Sequence, residues 1–403
     1  MQYDFGVIGA NGIQGKIVAR DLLESGHSVL LCANDDYGLD QILEYKKSDF
    51  ALIDLKKVDR VKRVIKKSGA LVVINCAIDD YNLLVTNLCL DLGVNYVDLG
   101  SEEEMTLEQF KLGKFFKEKK LTAITGAGST PGINNVMLRY ARPQFETIHT
   151  VHLGFTWTSN LPTFVTPFSL DAVVFEFTEK AKIFENEKFV ERRPEECKLN
   201  YYYKGIGRQK TYYTKHIEHR TFYEYLKDAG IKNIMVCASF PEHSRRVIET
   251  LIDLGLTKSG QEHEILETGM DHLDFTEEAL RHLPVPDGYA EKENLWLKIY
   301  GKKNGKNKFV EMDAVAASLP GWEDATCNVD TGMPASILAQ MIKNGVIAEF
   351  GMFSPEFVVP PKPFFSELGK RKIWVYENGK KINGNGSLSL LTVEREKEAL
   401  AKI

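Results

Sequence analysis

Three glycines, Gly9, Gly12 and Gly15, follow a short apolar run and open a helical pattern. This spacing is typical of a strand-to-helix turn that binds a pyrophosphate. The first glycine permits the sharp turn, the second leaves room for the phosphates, and the third lets the helix pack closely on the strand. Because the N–H groups at the helix start are unpaired, they can bind the phosphates. The predicted dinucleotide-binding residues here are Gly9, Asn11, Gly12, Ile13, Gln14 and Gly15.

The second apolar run (29–33) ends in a polar turn that contains Asn34 and Asp35. An acid at this place hydrogen-bonds the ribose 2′-hydroxyl of NAD and repels the 2′-phosphate of NADP. No Arg or Lys lies in the turn, so the sequence favours NAD over NADP. We add Asp54, after the third apolar run, to the cofactor-binding candidates. A polar turn without a binding role is the alternative for Asn34 and Asp35.

Carboxylates follow two further apolar runs of the first third of the chain. Cys76 and Ala77 end one run and precede Asp79 and Asp80, and Glu102 follows the next. Ligands of parallel sheets bind outside the carboxyl ends of the strands, so these side chains are expected in one crevice. Each carboxylate is a candidate to hold a substrate ammonium or to act as the general base. The alternative for each is the capping of a helix.

A glycine-rich loop, GAGSTPG (126–132), leads from the sixth apolar run into a helix. Gly126 and Gly128 would let a cofactor approach the backbone, and the helix N-terminus suits a carboxylate group. An ordinary turn with proline near the helix start is the alternative. The substrate-binding candidates are Thr130, Pro131, Gly132, Asn135 and, further along the chain, Arg220. Arg208 is a further candidate to bind a distal carboxylate of the substrate. If none of the three carboxylates above is the general base, His152 and Glu218 are the next candidates.

The elements that must position these residues alternate between strand and helix. Six apolar strand patterns occur at 5–8, 29–33, 50–55, 70–77, 95–100 and 121–126. Helical patterns between them predict a Rossmann-type, doubly wound parallel sheet in an α/β fold. After Pro143 the strands become long, β-branched and aromatic, which predicts an inserted α+β domain on a mainly antiparallel sheet. We assign 1–134 to the dinucleotide-binding domain, completed by 328–403, and 135–327 to an inserted domain.

Composition limits the class of protein. The chain has 403 residues, a length that argues for two domains. Its net charge of -5 argues against nucleic acid or an anionic membrane as partner. No apolar run approaches the ~20 residues of a membrane span. Met1 leads directly into the first strand, without a targeting segment, and the six cysteines are scattered. We therefore expect a reduced, cytoplasmic location and no metal site.

Several motifs in a fixed order resemble the saccharopine dehydrogenase-like family. They are VIGANGIQG, VINCAIDDYN, GVNYVDLGSE, ITGAGSTPGINNVM, TPFSLDAVVFEFTEKAKIFENEKF, IKNIMVCASFPEHSRRVIETLIDLGLT and TGMPASILAQMIKNGVI. The resemblance implies a Rossmann domain that binds NAD or NADP and an inserted domain that contacts substrate and often forms a homodimer. It also implies reversible hydride transfer at a C–N bond of an amino acid, an opine or a polyamine precursor.

Two departures from the family pattern keep the substrate open. Thr130 stands where glutamate-forming saccharopine dehydrogenases usually have aspartate, and SNLP (159–162) stands where a GGLP turn is common. We expect an NAD(P)-dependent oxidoreductase of C–N bonds in a small amino acid or opine of the saccharopine or lysine type. The first alternative is a dehydrogenase of carboxylated polyamines, of the carboxynorspermidine type, with the same fold. The second is a non-catalytic nucleotide-binding protein.

Overall fold

The computed structural model describes residues 2–100, 102–166, 170–265 and 269–384. Two large sheets, and a small one made of residues 202–203 and 207–208, organise this part of the chain. The strands, in chain order, are β1 Phe5–Ile8, β2 Val29–Ala33, β3 Ser48–Leu52, β4 Val72–Asn75, β5 Asn95–Asp98, β6 Thr122–Ile124, β7 Thr147–Ser159, β8 Ala181–Glu185, β9 Lys188–Arg192, β10 Tyr202–Tyr203, β11 Gly207–Arg208, β12 Thr211–Tyr213, β13 Asn233–Ser239, β14 Glu291–Lys303, β15 Lys306–Ala317, β16 Gly351–Phe353, β17 Trp374–Glu377 and β18 Lys380–Lys381.

Helices connect and cover these strands. The α-helices are α1 Ile13–Glu24, α2 Asp40–Leu43, α3 Val58–Ser68, α4 Asn82–Leu92, α5 Glu103–Phe110, α6 Gly113–Glu118, α7 Ile133–Ala141, α8 Leu170–Thr178, α9 Glu218–Leu226, α10 Glu242–Asp253, α11 His272–Arg281, α12 Val329–Lys343, α13 Pro355–Val358 and α14 Pro361–Lys370. Short 3₁₀ turns occur at Asp79–Tyr81, Arg142–Gln144, Pro194–Glu196, Lys227–Ala229, Gln261–His263 and Glu323–Asn328.

The first sheet is parallel throughout, with strand order β16-β6-β5-β4-β1-β2-β3. It contains all six predicted strands and confirms the Rossmann-type prediction. Its central strands β1, β2 and β4 are wholly buried, as apolar strands covered on both faces must be. The strand order reverses between β1 and β4, which places a ligand crevice outside their carboxyl ends.

The second sheet has the order β18-β17-β15-β14-β7-β13-β8-β9, with β12 also paired to β13. Its pairs are antiparallel except β7 with β13, so the prediction of a mainly antiparallel inserted sheet is confirmed. The sequence over 294–316 predicts a hairpin that turns at Lys303-Asn304-Gly305, and β14 and β15 form it. Asn304 and Gly305 both have positive φ, which is the conformation of a tight two-residue hairpin turn.

The returning C-terminal part of the chain packs on both sheets. Helix α12 lies against α1, and β16 extends the first sheet beside β6. Strand β17, in contrast, pairs with β15 of the second sheet, although the sequence assigned 328–403 wholly to the first domain. Strand β17 is held by hydrogen bonds to β15, which lies far from it in the sequence, so no local sequence pattern predicts this pairing. The domain boundaries at 134/135 and 327/328 stay a prediction, and 385–403 lies outside the described residues.

Candidate active site

The glycine turn between β1 and α1 is built by two close approaches. A Cβ on Gly9, where φ is +73°, would lie 2.7 Å from the backbone nitrogen of Ala77 at the end of β4. A Cβ on Gly15 would overlap the carbonyl oxygen of Gly9. Both positions therefore require glycine, and together they bring the start of α1 against the carboxyl ends of β1 and β4. The residues present thus fit the phosphates of a dinucleotide.

A cleft of about 590 Å³ opens beside this turn. It lies outside the carboxyl ends of β1 to β4, where a Rossmann-type sheet binds its cofactor. Predicted residues in its lining are Gly9, Asn11, Gly12, Asn34, Asp54, Cys76 and Ala77. Ile13 is 51% exposed at the start of α1, and Gln14 instead donates a hydrogen bond to the Asn328 side chain over 3.1 Å. Most of the predicted cofactor residues therefore come together at one cleft.

Acidic and basic side chains both occur at the side of the cleft where the ribose is expected. The Asn11 amide donates to Asn34 Oδ1 (3.2 Å) and to Asp35 Oδ1 (2.9 Å), and Asp35 is outside the cleft lining. Asp54 lines the cleft and accepts a hydrogen bond from the backbone of Lys56 over 3.0 Å. Lys56 itself also lines the cleft. The sequence argument missed this lysine because it considered only the turn after β2, whereas Lys56 follows β3.

The three predicted carboxylates have different surroundings. Asp79 is half-buried at the start of a 3₁₀ turn and accepts a 3.4 Å hydrogen bond from Asn82. Asp80 is exposed. Glu102 is the N-cap of α5, where its carboxylate accepts the Met105 N–H over 2.6 Å. The structure thus places Glu102 in the capping role that was its alternative, while a catalytic role for Asp79 or Asp80 stays a prediction.

Asp98, at the end of β5, has a role that the sequence did not suggest. It is buried and accepts hydrogen bonds from Gln109 (2.6 Å) and from the backbone N–H of Gly126 (3.2 Å). Burial raises the pKa of its carboxyl to about 6. Asp98 therefore fixes the start of the glycine-rich loop to the neighbouring strand.

Internal hydrogen bonds hold the glycine-rich loop (126–132). The Thr130 hydroxyl accepts a hydrogen bond from Asn134 over 2.8 Å, and the peptide bond between Thr130 and Pro131 is cis. Asn135 is fully buried; it accepts from the Gly132 N–H and donates to Glu356, each over 2.8 Å. Because its amide already bonds on both sides, the structure places Asn135 in support of the loop.

The predicted arginines and His152 have partners away from the glycine-rich loop. Arg220 pairs with Glu224 on the same helix over 3.0 Å, and Arg208 is exposed and donates to Asn200. His152 contacts the Tyr201 hydroxyl over 2.7 Å, and burial lowers its pKa to about 4. The structure does not join these three residues into one site.

A group of charged side chains lies instead where the inserted domain meets the end of β5. We name it the junction cluster; its members are Glu103, Glu176, Lys182, His216, Glu218 and His219. Glu103, next to the cap residue, contacts Lys182 (2.6 Å) and the His219 ring (3.6 Å). His216 lies between Glu176 (3.5 Å) and Glu218 (3.4 Å). These contacts join α5 of the first domain to β8 and α9 of the second, and they join α8 to the segment that leads into α9.

The electrostatics of the junction cluster favour a bound cation. Burial would lower the pKa of His216, but Glu218 and Glu176 raise it to about 10. The contact with His219, helped by Lys182, lowers the pKa of Glu103 to about 2. Among the described residues, both Glu218 carboxylate oxygens and one Glu176 carboxylate oxygen are buried and accept no hydrogen bond. Buried carboxylates normally receive such donors, so an ammonium or guanidinium group would complete the cluster.

Part of this cluster was visible in the sequence. Glu218 was named as a possible base, and His216 and His219 flank it within four residues. Glu103 directly follows the predicted Glu102, but the sequence could not tell which of two neighbouring acids caps the helix. Glu176 is 40 residues from His216 along the chain, and no local spacing connects them.

Other features of the described residues set limits on the chemistry. No helix in this part of the chain is long and apolar enough to cross a membrane. Within the same residues, no three His, Cys, Asp or Glu side chains are grouped as metal ligands. The six cysteines are free thiols, and burial raises the pKa of Cys76 to about 12, so that this thiol in the cleft stays protonated near neutral pH.

Comparisons with known proteins agree with this geometry. Residues 5–124 match the saccharopine dehydrogenase NADP binding domain, and residues 128–373 match the saccharopine dehydrogenase C-terminal domain. The chain is 25% identical over 383 residues to the carboxyaminopropylagmatine dehydrogenase of Synechocystis sp., covering 90% of this chain and 94% of the relative. It is 24% identical over 339 residues to the carboxynorspermidine synthase of Vibrio alginolyticus, covering 80% and 81%.

A solved structure shows the same fold. The apo saccharopine dehydrogenase (L-Glu forming) of Saccharomyces cerevisiae superposes with a TM-score of 0.73 at 13% identity. The superposition covers 94% of this chain and 100% of that one. The two-domain architecture predicted from the sequence motifs is therefore that of the saccharopine dehydrogenases, with a domain for NAD or NADP.

Gly12→Val is expected to weaken NAD(P) binding at least tenfold, or about 1.4 kcal/mol, because its side chain would occupy the place of the pyrophosphate. The fold should tolerate this change, since a Cβ on Gly12 would meet only the Gly9 carbonyl oxygen, at 3.4 Å. Calorimetric titration and thermal melting measure the two effects. Gly15→Val is the control and should lower the melting temperature. Unchanged cofactor affinity in folded Gly12→Val would contradict the assignment.

Glu102→Ala is expected to cost about 1 kcal/mol of unfolding free energy, because α5 loses its N-cap, and to retain turnover. A general base would instead lower kcat by about 10²–10⁴. Denaturant unfolding and initial rates separate the two roles, and Glu104→Ala, which removes an exposed carboxylate from the first turn of the same helix, is the control. Lost turnover at native stability would restore Glu102 as the catalytic candidate.

Proposed function

The chain belongs to the saccharopine dehydrogenase family, and we propose that it acts as an NAD(P)-dependent dehydrogenase on a carboxylated polyamine. This was the first alternative from the sequence. In the oxidative direction a CH–NH group of the substrate would lose a hydride and a proton to give an imine, which water would split into an aldehyde and an amine; the reductive direction would reverse these steps. Bound in the cleft, the nicotinamide would supply or accept the hydride.

The observation that carries this proposal is the junction cluster. Glu176 and Glu218 are buried carboxylates with free acceptor oxygens, and His216 offsets only one of their two charges. A cationic amine supplies the donors and the positive charge that this arrangement lacks. A polyamine carries several such amines, whereas saccharopine-type substrates need more cationic groups for their carboxylates. The relatives named for carboxyaminopropylagmatine and carboxynorspermidine support the same class.

The loop before α7 is suited to the carboxyl end of the substrate. Its helix N-terminus follows Gly132, and Thr130 adds a neutral hydroxyl. A neutral side chain here avoids repulsion of a substrate carboxylate, which an aspartate at the same position would cause. We propose that Thr130, Pro131 and Gly132 contact the carboxyl group and that Asp79 holds a substrate ammonium.

An amino-acid or opine substrate is the second candidate. The family models and the fold of the yeast enzyme favour it, because both refer to saccharopine dehydrogenase. Both candidates undergo hydride transfer at a C–N bond. They differ in the charge of the group that the substrate would place at the junction cluster. We also propose a homodimer in the cytoplasm that acts on a small molecule. A non-catalytic nucleotide-binding protein would bind NAD(P) and turn over neither class.

A substrate panel with both cofactors tests the proposal. We expect kcat/KM for carboxynorspermidine or carboxyaminopropylagmatine to exceed that for saccharopine, lysine and other opines at least tenfold. We expect NAD to serve better than NADP, because Asp35 and Asp54 would repel a 2′-phosphate. Higher activity with saccharopine would contradict the polyamine assignment. Preference for NADP that Lys56→Ala abolishes would assign the 2′-phosphate to Lys56.

Glu218→Gln tests the junction cluster in the same assay. We expect KM for the preferred polyamine to rise at least tenfold, because the amide removes one charge from the amine site without a change of shape. Glu224→Gln makes the same chemical change on the same helix, at a half-exposed residue that pairs with Arg220 and Lys227, and is the control. An unchanged KM in folded Glu218→Gln would contradict the assignment of the amine site.

A further inference from the structure

A second pair of carboxyl groups lies apart from the junction cluster, between β14 and α12. Glu291, two residues before Glu293 on the same face of β14, accepts hydrogen bonds from the backbone N–H (3.4 Å) and the thiol (3.1 Å) of Cys327, so this face lies against the segment that carries Asp330. There the side chain of Glu293, which is partly exposed, interacts with that of Asp330, which is buried. Neither oxygen of Asp330 has a normal hydrogen-bond partner among the described residues. Two carboxyl groups in contact share a proton, because two adjacent anions repel strongly in a poorly hydrated place.

The segment that carries Asp330 joins two cofactor-facing parts of the first domain. Asn328 accepts a hydrogen bond from Gln14 in the glycine turn, over 3.1 Å. Thr331 donates to Ser129 in the glycine-rich loop over 3.0 Å, and its methyl group would lie 3.2 Å from a Cβ on Gly128. Asp330 therefore lies between the pyrophosphate turn and the loop at the end of β6, where the nicotinamide end of a dinucleotide is expected.

Glu293 reaches this place from the second sheet. It is paired with Trp157 on β7 and with Ala316 on β15. The Trp157 ring is buried, and its N–H has no partner among the described residues. Within the described part of the chain, buried polar atoms without a partner, one on Gln14 and two on Asp330, therefore belong to the segments that meet at Asn328–Gly332. Buried groups of this kind indicate a place that a polar ligand completes.

The charged and titratable neighbours of Glu293 are acids and a thiol. Glu291 precedes it on β14, Cys327 faces it from the 3₁₀ turn, and Asp330 faces it from α12. Glu291 is engaged elsewhere, since it accepts hydrogen bonds from Tyr289 (2.6 Å) and from the Cys327 thiol (3.1 Å). Burial raises the pKa of Glu293 to about 7, with Glu291 adding to the rise. Burial also raises the pKa of Asp330.

We propose that Glu293 exchanges the proton of the reacting substrate nitrogen and that Asp330 positions Glu293 and shares its proton. The inference rests on the proposed C–N chemistry. In the reductive direction the O–H bond of Glu293 breaks and an N–H bond forms on the imine nitrogen. NAD(P)H then delivers hydride to the imine carbon, so that imine, NAD(P)H and one proton give amine and NAD(P)⁺. In the oxidative direction the Glu293 carboxylate receives the proton.

The test compares the pH dependence of wild type, Glu293→Gln and Asp330→Asn with the best substrate of the panel. In the oxidative direction, wild-type kcat/KM should rise through about pH 7, where the pKa of Glu293 lies. Glu293→Gln should lower kcat by about 10²–10⁴ and lose this limb. Asp330→Asn should displace the limb. Asp313→Asn, at a buried carboxyl bonded to Asn294 on the other face of the sheet, is the control and should keep it.

A second measurement needs no substrate or cofactor. The pKa of Glu293 is raised in the folded state from about 4.5 to about 7, so between these pH values the folded chain keeps a proton that the unfolded chain has lost. The free energy of unfolding therefore falls as the pH rises through this window. Stability contributed by the protonated form is complete below about pH 4.5 and declines as the pH rises to about 7. The melting temperature of Glu293→Gln relative to wild type should therefore increase over this window. A difference independent of pH would contradict the shared proton.

The outcomes distinguish this inference from the proposed function. If wild type turns over no C–N substrate, the proposed function fails, and this inference fails with it. If wild type is active and Glu293→Gln keeps both its limb and its rate within threefold, only this inference is overturned. Should Glu293→Gln fail to fold, Glu293→Asp replaces it. The shorter acid should keep the rise of kcat/KM near pH 7 at a reduced rate, and loss of this rise in folded Glu293→Asp would overturn the proposal.

Discussion

The contact between the carboxyl edge of the first sheet and the inner face of the second sheet determines what this molecule can bind. Gly9 and Gly15 bring the start of α1 against the end of β4, which fixes one wall of the crevice. At the end of β5, the ion pair between Glu103 and Lys182 joins α5 to the inserted sheet. The proposed substrate site takes side chains from both domains.

Two sets of acids lie where the domains meet, one in the junction cluster and one between β14 and α12. In the first, Glu176 and Glu218 flank a protonated His216, so a net negative charge remains for a cation. In the second, burial raises the pKa values of Glu293 and Asp330, which is the basis of the proposed proton exchange with a substrate nitrogen. Buried carboxyl groups destabilise a fold unless they are paired or protonated. The proposed substrate would bring amines to the first set and react at a nitrogen beside the second.

The sequence predicted the fold better than the site, for a physical reason. Strand and helix periods are local, so the six strands of the first sheet and the β14–β15 hairpin followed from neighbouring residues. The pairing of β17 with β15 did not, because a strand edge carries no mark of its partner. The same holds for the site: Gly9 was found by spacing, whereas Lys56, Glu176 and the Glu293–Asp330 pair depend on contacts between distant segments. Glu102 and Glu103 show the limit most clearly, since one residue of difference separates a helix cap from an interdomain ion pair.

The central claim is that the junction cluster binds an amine of the substrate, and a crystal structure of the ternary complex tests it most directly. Crystals would hold NAD⁺ or NADP⁺ together with carboxynorspermidine or carboxyaminopropylagmatine. The account predicts a substrate nitrogen within about 3 Å of a carboxylate oxygen of Glu176 or Glu218. It also predicts the reacting carbon in contact with the nicotinamide ring. A substrate whose amines lie elsewhere, with only water beside these two carboxylates, would contradict it.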